Sequence, residues 1–318
     1  PIWVGCSMVP KASTSLSAQI DLAGEDIGDV DLKSINGQLT IEDATIDYLS
    51  PMPPITNAAA SATFNNKRLN FKIHRGHSGE LTIEDGTVDI SDIGTQSVAT
   101  DISGLVRGPV KSALDMIAHP RLSLLQSLGL TMDGVEGRQA TRLKIAFPLL
   151  KDLKAEDVLL SATSDIRDLS VKSAFRGMPI DNGRIALTVN NESLSASGEA
   201  VYANTATSFK WTEDFSGRRP IKRRLDTRFI AGTQQAKLFD IHFPEIFDGS
   251  APIQLVYEER RDNTAVLSAG LDLQDVKISL PGLDWVKLPG LPGTAQVSAS
   301  LRDGAIITVD HFQLDSGI

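Results

Sequence analysis

Cysteine is nearly absent: Cys6 is the only one in 318 residues. An intrachain disulfide and a cysteine metal cluster are therefore excluded. Aromatic residues reach only 5%, so the 41% hydrophobic content rests mainly on Leu, Ile, Val and Ala. Five histidines leave little material for acid–base chemistry or zinc. No apolar run approaches the roughly eighteen residues that a membrane-spanning helix needs. An excess of positive charge is also missing. The net charge of −9 argues against nucleic acid as a partner. There is no phosphate-binding loop, dinucleotide fingerprint, nucleophile elbow or His-Glu-x-x-His motif. No signal peptide is visible, and a strand pattern follows Pro1 at once, so the chain reads as a piece of something longer.

What is present is alternation. One ten-residue phrase occurs twice, Leu39-Thr40-Ile41-Glu42-Asp43-Ala44-Thr45-Ile46-Asp47-Tyr48 and Leu81-Thr82-Ile83-Glu84-Asp85-Gly86-Thr87-Val88-Asp89-Ile90. Asp-Gly between alternating apolar residues is a strong signal for a two-residue hairpin turn. The phrase therefore predicts a hairpin with Asp43-Ala44 or Asp85-Gly86 at its tip. Ile41 would then face Ile46, and Ile83 would face Val88. All the apolar residues would share one face and the polar ones the other.

A second hairpin type follows. Ala58, Ala60, Ala62 and Phe64 alternate, Asn65-Asn66-Lys67-Arg68 turn, and Leu69, Phe71 and Ile73 alternate back. Similar patterns surround Asn190-Asn191-Glu192-Ser193, after Ile185, Leu187 and Val189, and Asp303-Gly304, before Ile307 and Val309. They suggest a diverged repeat of roughly 110–130 residues. Strand pattern also covers Arg142–Phe147, with Leu143 and Ile145 on one face. Only the stretch 109–128 has helical spacing, with Pro109 at its start and Val110, Ala113, Leu114 and Ile117 on one side. A polar boundary near Phe215–Pro220 suggests a region 1–215 and a second region 216–318.

Candidate chemistry is thin. Glu42, Asp43, Asp47, Glu84, Asp85 and Asp89 crowd the repeated phrase, where acids at turns and on a wet face are ordinary. Glycoside hydrolysis would need two of them across a cleft. His74-Arg75-Gly76-His77 reads as a surface turn. Arg218, Arg219, Lys222, Arg223, Arg224 and Arg228 form a basic cluster with no aromatic platform for bases. A solvated edge strand explains it best, and anionic head groups are the alternative. No catalytic residue, metal ligand or cofactor is assigned.

A sheet with one apolar face must cover it. A second sheet, a layer of helices or a non-protein guest would each do so, and periodicity alone does not choose. Small aliphatic side chains would leave room for acyl chains, each buried methylene contributing about 0.8 kcal/mol.

Several segments resemble the AsmA-like proteins of Gram-negative envelopes, the YhdP type in particular. They are Ile35-Asn36-Gly37 leading to Ala44–Tyr48 and Pro53-Pro54-Ile55, and the run Gly79 to Ile90. Gly108-Pro109 with Ala113-Leu114, Phe147-Pro148-Leu149, Gly177-Met178-Pro179-Ile180 and the tail Leu280–Gly290 also belong. The resemblance implies a mainly β fold, a long twisted antiparallel sheet curled into a hydrophobic groove. It implies a non-enzymatic role in phospholipid transfer or outer-membrane lipid homeostasis. It also implies a periplasmic location, with an inner-membrane anchor in a segment absent from this chain. The expected partners are phospholipid acyl chains, with inner and outer membrane surfaces reached through parts not in this chain. The expected groove lining is Leu39, Ile41, Ile46, Tyr48, Phe64, Leu69, Phe71, Ile73, Leu81, Ile83, Val88 and Ile90, then Leu143, Ile145, Leu187 and Val189. The runner-up is a structural β-sandwich or solenoid, as in a scaffold or adhesin.

Overall fold

Strand after strand, the chain pairs antiparallel with its neighbour in sequence. The computed structural model describes residues 5–6, 11–22, 30–47, 53–117, 134–150, 152–174, 177–232, 246–280 and 284–316. The first strands are β1 (Gly5–Cys6), β2 (Lys11–Leu22), β3 (Val30–Asp47), β4 (Ile55–Asn65), β5 (Leu69–Ser78), β6 (Leu81–Ser91) and β7 (Ala99–Pro109). Helix α1 (Val110–Ile117) follows, then β8 (Val135–Pro148), β9 (Leu159–Val171), β10 (Ile180–Asn190), β11 (Ser193–Tyr202), β12 (Thr205–Asp214) and β13 (Ile221–Ala231). The last are β14 (Phe247–Asp248), β15 (Ala251–Arg260), β16 (Thr264–Asp272), β17 (Lys277–Leu280), β18 (Trp285–Lys287), β19 (Thr294–Arg302) and β20 (Ala305–Asp315). Seventeen of these strands form one antiparallel sheet, and β14, β17 and β18 form a second, three-stranded one. β1 and β2 flank the same side of β3. No pairing among the described residues joins the last strand to the first, so the large sheet is open.

The chain divides into two compact units. Unit 1 comprises Pro1–Leu130 and Arg138–Ser164, and unit 2 comprises Thr131–Gly137 and Asp165–Ile318. The Phe215–Pro220 stretch is the loop between the paired strands β12 and β13 of unit 2.

The repeated phrase does not fold as a hairpin. Each copy runs through as one strand, β3 or β6. Ile41 lies opposite Ala60 and Ile46 opposite Ile55, not opposite each other. Ile83 lies opposite Gly76 and Val106, and Val88 opposite Phe71 and Ile102. The Asp at the expected turn is a bulge. Asp43 has φ 58° and Asp85 φ 49°, and one extra residue slips into the ladder between Ile41 and Ala44 and between Glu84 and Thr87. A two-residue turn and a bulge both want an Asx or Gly residue in the left-handed region, followed by a small one. The flanking strands decide between them. β4 spans both halves of the first copy, and β5 and β7 span both halves of the second. A continuous strand therefore bonds on both sides, where a hairpin would leave its outer edges open. The extra residue also resets the alternation, so Leu39, Ile41 and Ile46 stay on one face despite their odd-to-even change in number.

The bulges line up. Ala44 sits opposite Ala58, which follows Asn57 at φ 50°. Arg75, beside a further register shift in β5, pairs with Ala59 and with Glu84. Extra residues thus fall side by side across β3, β4, β5 and β6. Each bulge bends its strand and increases its twist, so aligned bulges form a crease. The residues inside it are small: Ala44 and Ala58 are each 2% exposed, and a Cβ on Gly86 would approach Ile73 Cβ to 3.0 Å. Asn182, at φ 54°, makes the same bulge in unit 2, with Gly183 after it.

The four-residue hairpins form as the alternation requires. Phe64 faces Leu69 and Ala62 faces Phe71, while Val189 faces Leu194 and Leu187 faces Ala196. Asn65 Oδ1 accepts the Lys67 and Arg68 N–H groups at 2.9 Å, and Asn190 Oδ1 accepts those of Glu192 and Ser193 at 2.8 Å. The third hairpin shifts register. Leu301 faces Ile306 and Ala299 faces Val309, which leaves Ile307 out of the expected row.

Candidate functional site: an open apolar sheet face

Register builds the apolar face of unit 1 row by row. Leu39, Ala62, Phe71, Val88, Ile102 and Ile145 are successive cross-strand partners from β3 to β8. Ile41, Ala60, Ile73 and Gly86 form the next row. Leu143 extends it opposite Gly104, whose missing Cβ lets it sit against Gly86. Phe64, Leu69, Ile90, Thr100 and Phe147 form a third row. Gly37 leaves the space that the Phe64 ring occupies. The other face carries Thr40, Ser61, Lys72, Thr87, Ser103 and Lys144, again as partners in sequence.

Burial on the two faces differs in kind. Ala58, Ala60 and Ala62 are buried, whereas Leu39, Ile41, Ile46, Phe64, Leu69, Phe71, Ile73, Ile83, Val88, Ile90, Leu143 and Ile145 are half-buried. Side chains in a sandwich core are fully enclosed by the facing sheet. Here the large aliphatic groups keep part of their surface open while their small neighbours do not. Leu81 is different: at 2% exposed it is packed core, lying against Gly108 beside α1. Tyr48 and the stretch that would continue the helix beyond Ile117 lie outside the described residues.

Leu187 and Val189 lie on the apolar face of unit 2, and register shows what accompanies them. Leu187 begins a row through Ala196, Trp211, Leu225, Tyr257, Leu267, Ala299 and Val309. Trp211, Leu225, Tyr257 and Leu267 were not expected at the site, although the alternation in their strands marks them. Val189 begins the next row, through Leu194, Glu213, Arg223, Glu259, Ala265 and Leu301. Three charged residues therefore stand side by side on an apolar face.

The basic cluster is reorganised accordingly. β13 is paired on both sides, so it is not an edge strand. Arg223 Nη2 donates to Glu213 at 3.0 Å and Nη1 to Glu259 at 3.3 Å, while its guanidinium lies 5.8 Å from the Trp211 ring centroid. Tyr257 donates its hydroxyl to Glu259 at 3.1 Å, and Lys222 reaches the other oxygen of Glu259 at 3.4 Å. Burial pulls the Arg223 guanidinium down, but the hydrogen bond and charge of Glu213, with the charge of Glu259, hold it above its ordinary value. Burial, then the charge of Glu259, pushes the Tyr257 phenol up. Arg218 pairs with Glu192 at 2.9 Å and Arg224 with Asp226 at 3.0 Å and with Glu258.

One end of this face is covered. Leu271, Ala295 and Leu314 pack with Leu273, Val276, Ile278, Phe247 and Trp285, so the small sheet lies over β15, β16 and β19. Lys287 is 0% exposed. Its ammonium donates to the carbonyls of Leu273 (2.7 Å), Val276 (3.2 Å), Leu288 (3.3 Å) and Gln274 (3.4 Å).

The expected acid and histidine features offer no reaction centre. Glu42, Asp43 and Asp85 are exposed, Asp89 is bound by Arg68 Nε at 2.7 Å and Glu84 by Arg107 at 3.2 Å. His74 and His77 lie within β5 and not in a turn, and His74 contacts the Ser61 hydroxyl at 3.1 Å. Among the described residues no three His, Cys, Asp or Glu side chains are grouped to hold a metal ion.

An open antiparallel sheet with one apolar, incompletely covered face defines a β-groove type of protein. The model of the YhdP protein family matches residues 24–301, and the chain belongs to that family. It is a family of cell-envelope proteins. No curated protein and no solved structure matches the chain. Among the described residues no helix is long and apolar enough to cross a membrane.

Proposed function

We propose that this chain is a non-enzymatic, passive track for phospholipid acyl chains in the periplasm, part of a bridge anchored to the inner membrane through a segment not in this sequence. The observation that carries the reading is the half-buried state of Leu39, Ile41, Phe71, Ile73, Val88 and Ile145 on one continuous face. Aliphatic surface left partly in water gains about 25 cal/mol for each Å² that a guest covers. Neighbouring rows offer nearly the same side chains, so a chain can shift from row to row with little change in free energy. Along the uncharged rows of unit 1, head groups stay in water. The sequence carries no nucleotide-binding signature, and in this reading direction comes from whatever loads and unloads the ends.

Ile83→Asp tests the track. Ile83 is half-buried among Gly76 and Val106, so a carboxylate there faces the guest without filling a closed core. Photo-crosslinking to lipid and rescue of envelope barrier function should both fall, while the circular dichroism of the sheet is unchanged. Undiminished crosslinking and rescue with the aspartate in place would refute the assignment. Native mass spectrometry after gentle extraction adds a direct check: a chain that never carries phospholipid is a scaffold and not a conduit.

A further inference from the structure

The geometry points to a head-group station in unit 2: the Glu213–Arg223–Glu259 row, with Trp211 and Tyr257, engages a zwitterionic lipid head group, one that carries both a phosphate and an ammonium. This inference rests on the acyl-track reading above and adds selectivity to it.

The row crosses an otherwise apolar face. Val189 and Leu194 precede it and Ala265 and Leu301 follow it. It lies directly beside the apolar row through Trp211, Leu225, Tyr257 and Leu267. A surface that only held acyl chains would gain nothing from charges here, because taking ions out of water is costly. The network also leaves bonds unmade. Arg223 uses both terminal nitrogens on carboxylates, yet its Nε–H has no partner. The Trp211 indole N–H and Glu213 Oε2 are also buried and unpartnered. Glu213 is 4% exposed. Buried polar atoms without partners are rare, and three in one cluster call for an explanation.

Their chemistry describes what would complete them. Two N–H donors suit the oxygens of a phosphodiester, and one carboxylate oxygen suits an ammonium. The charges of Lys222, Arg223, Glu213 and Glu259 cancel, so the row gives no advantage to a head group with net charge. A zwitterion matches that balance, and an anionic head group does not. Entry is through Arg223, whose side chain is 28% exposed while that of Glu213 is 2%. The neighbouring apolar row then takes the acyl chains, which sets the lipid across the strands in one orientation.

The test uses the purified chain, incubated with vesicles of equal phosphatidylethanolamine and phosphatidylglycerol and read by native mass spectrometry. Wild type should carry more of the ethanolamine lipid. Glu213→Gln, which keeps the size and the bond to Arg223 but replaces the oxygen that would accept the ammonium, should lower the ethanolamine-to-glycerol ratio by about tenfold or more, as expected for loss of one charge-assisted hydrogen bond. Total lipid should not change. If Glu213→Gln loses its circular dichroism signal, the wild type carries the test with N-acetylated phosphatidylethanolamine, which keeps the phosphate and lacks the ammonium, in place of the ethanolamine lipid: its ratio to phosphatidylglycerol should fall by the same factor, and an undiminished ratio would overturn the station. Equal ratios in wild type and the folded variant would overturn the station and leave the track standing. Wild type with no lipid of either kind would overturn the track itself.

Discussion

The two units share one construction rule and use it differently. In unit 1 the apolar face is built of uncharged rows, with alanines between larger aliphatic groups and a crease of bulges at Asp43, Asn57 and Asp85. In unit 2 the corresponding face is crossed by Glu213, Arg223 and Glu259, and its far end is roofed by the small sheet that Lys287 holds in place. Strand alternation thus fixes which residues share a face but not what that face meets. A charged residue at an inward position is tolerated where cross-strand neighbours supply its partner, as Arg223 does for two carboxylates at once.

The contrast between the units should respond most strongly to a change at Lys287. Lys287→Met keeps the volume and strips four carbonyls of their donor. The small sheet should lose about 3 kcal/mol or more, by the cost of leaving buried polar groups unsatisfied. Amide exchange in 273–280 and 284–288 should accelerate well beyond that in β5 and β6, and uniform protection in both units would refute this role. Next comes the charged row. Glu213→Leu alone leaves Arg223 short of a partner and should cost about 3 kcal/mol, whereas replacing Glu213, Arg223 and Glu259 together by leucine makes the row resemble unit 1 and should cost much less. Urea denaturation of both variants checks the order, and a triple variant weaker than the single one would contradict it.

Smaller effects belong to the crease. Asp85→Val places a β-branched residue at φ 49° and should destabilise unit 1 by about 1–2 kcal/mol, while Asp85→Gly should be near neutral or better. Equal thermal shifts for the two would exclude backbone strain as the cause. The smallest concerns pH. The hydrogen bond from Arg68 holds the Asp89 carboxyl below its usual range. Its contribution is present above the ordinary carboxylate value and is lost as pH falls through the depressed folded one. The pair is largely exposed on the Arg68 side, so solvent screening should leave Arg68→Ala the least destabilising of these changes at neutral pH. The same change should return the Asp89 titration, followed by NMR, toward the usual range.

Much of this was legible in the residues. Alternation at Phe64–Leu69 and Val189–Leu194 gave the correct partners because an Asn at the loop start seals a four-residue turn locally, with no help from the rest of the chain. The face shared by Leu39, Ile41 and Ile46 was also legible, though for a different reason than the pattern suggested. Asp-Gly and Asp-Ala serve a turn or a bulge equally well, and the choice falls to neighbouring strands that sequence spacing does not bring into view. The basic cluster was misplaced for the same cause. Nothing local distinguishes a central strand from an edge, and only the partners Glu213 and Glu259, 10 and 36 residues from Arg223, show that its charge is spent inside the sheet.

By itself, then, the order of residues determined the strands, their wet and oily sides, the short hairpins and the family, because each depends on spacing within a few residues. Tertiary structure alone decided that the repeated phrase is a bent strand, that the oily side of unit 1 stays partly open, and that charges cross it in unit 2. Those outcomes depend on which strands lie next to one another, and cross-strand hydrogen bonding sets that only once the sheet has assembled.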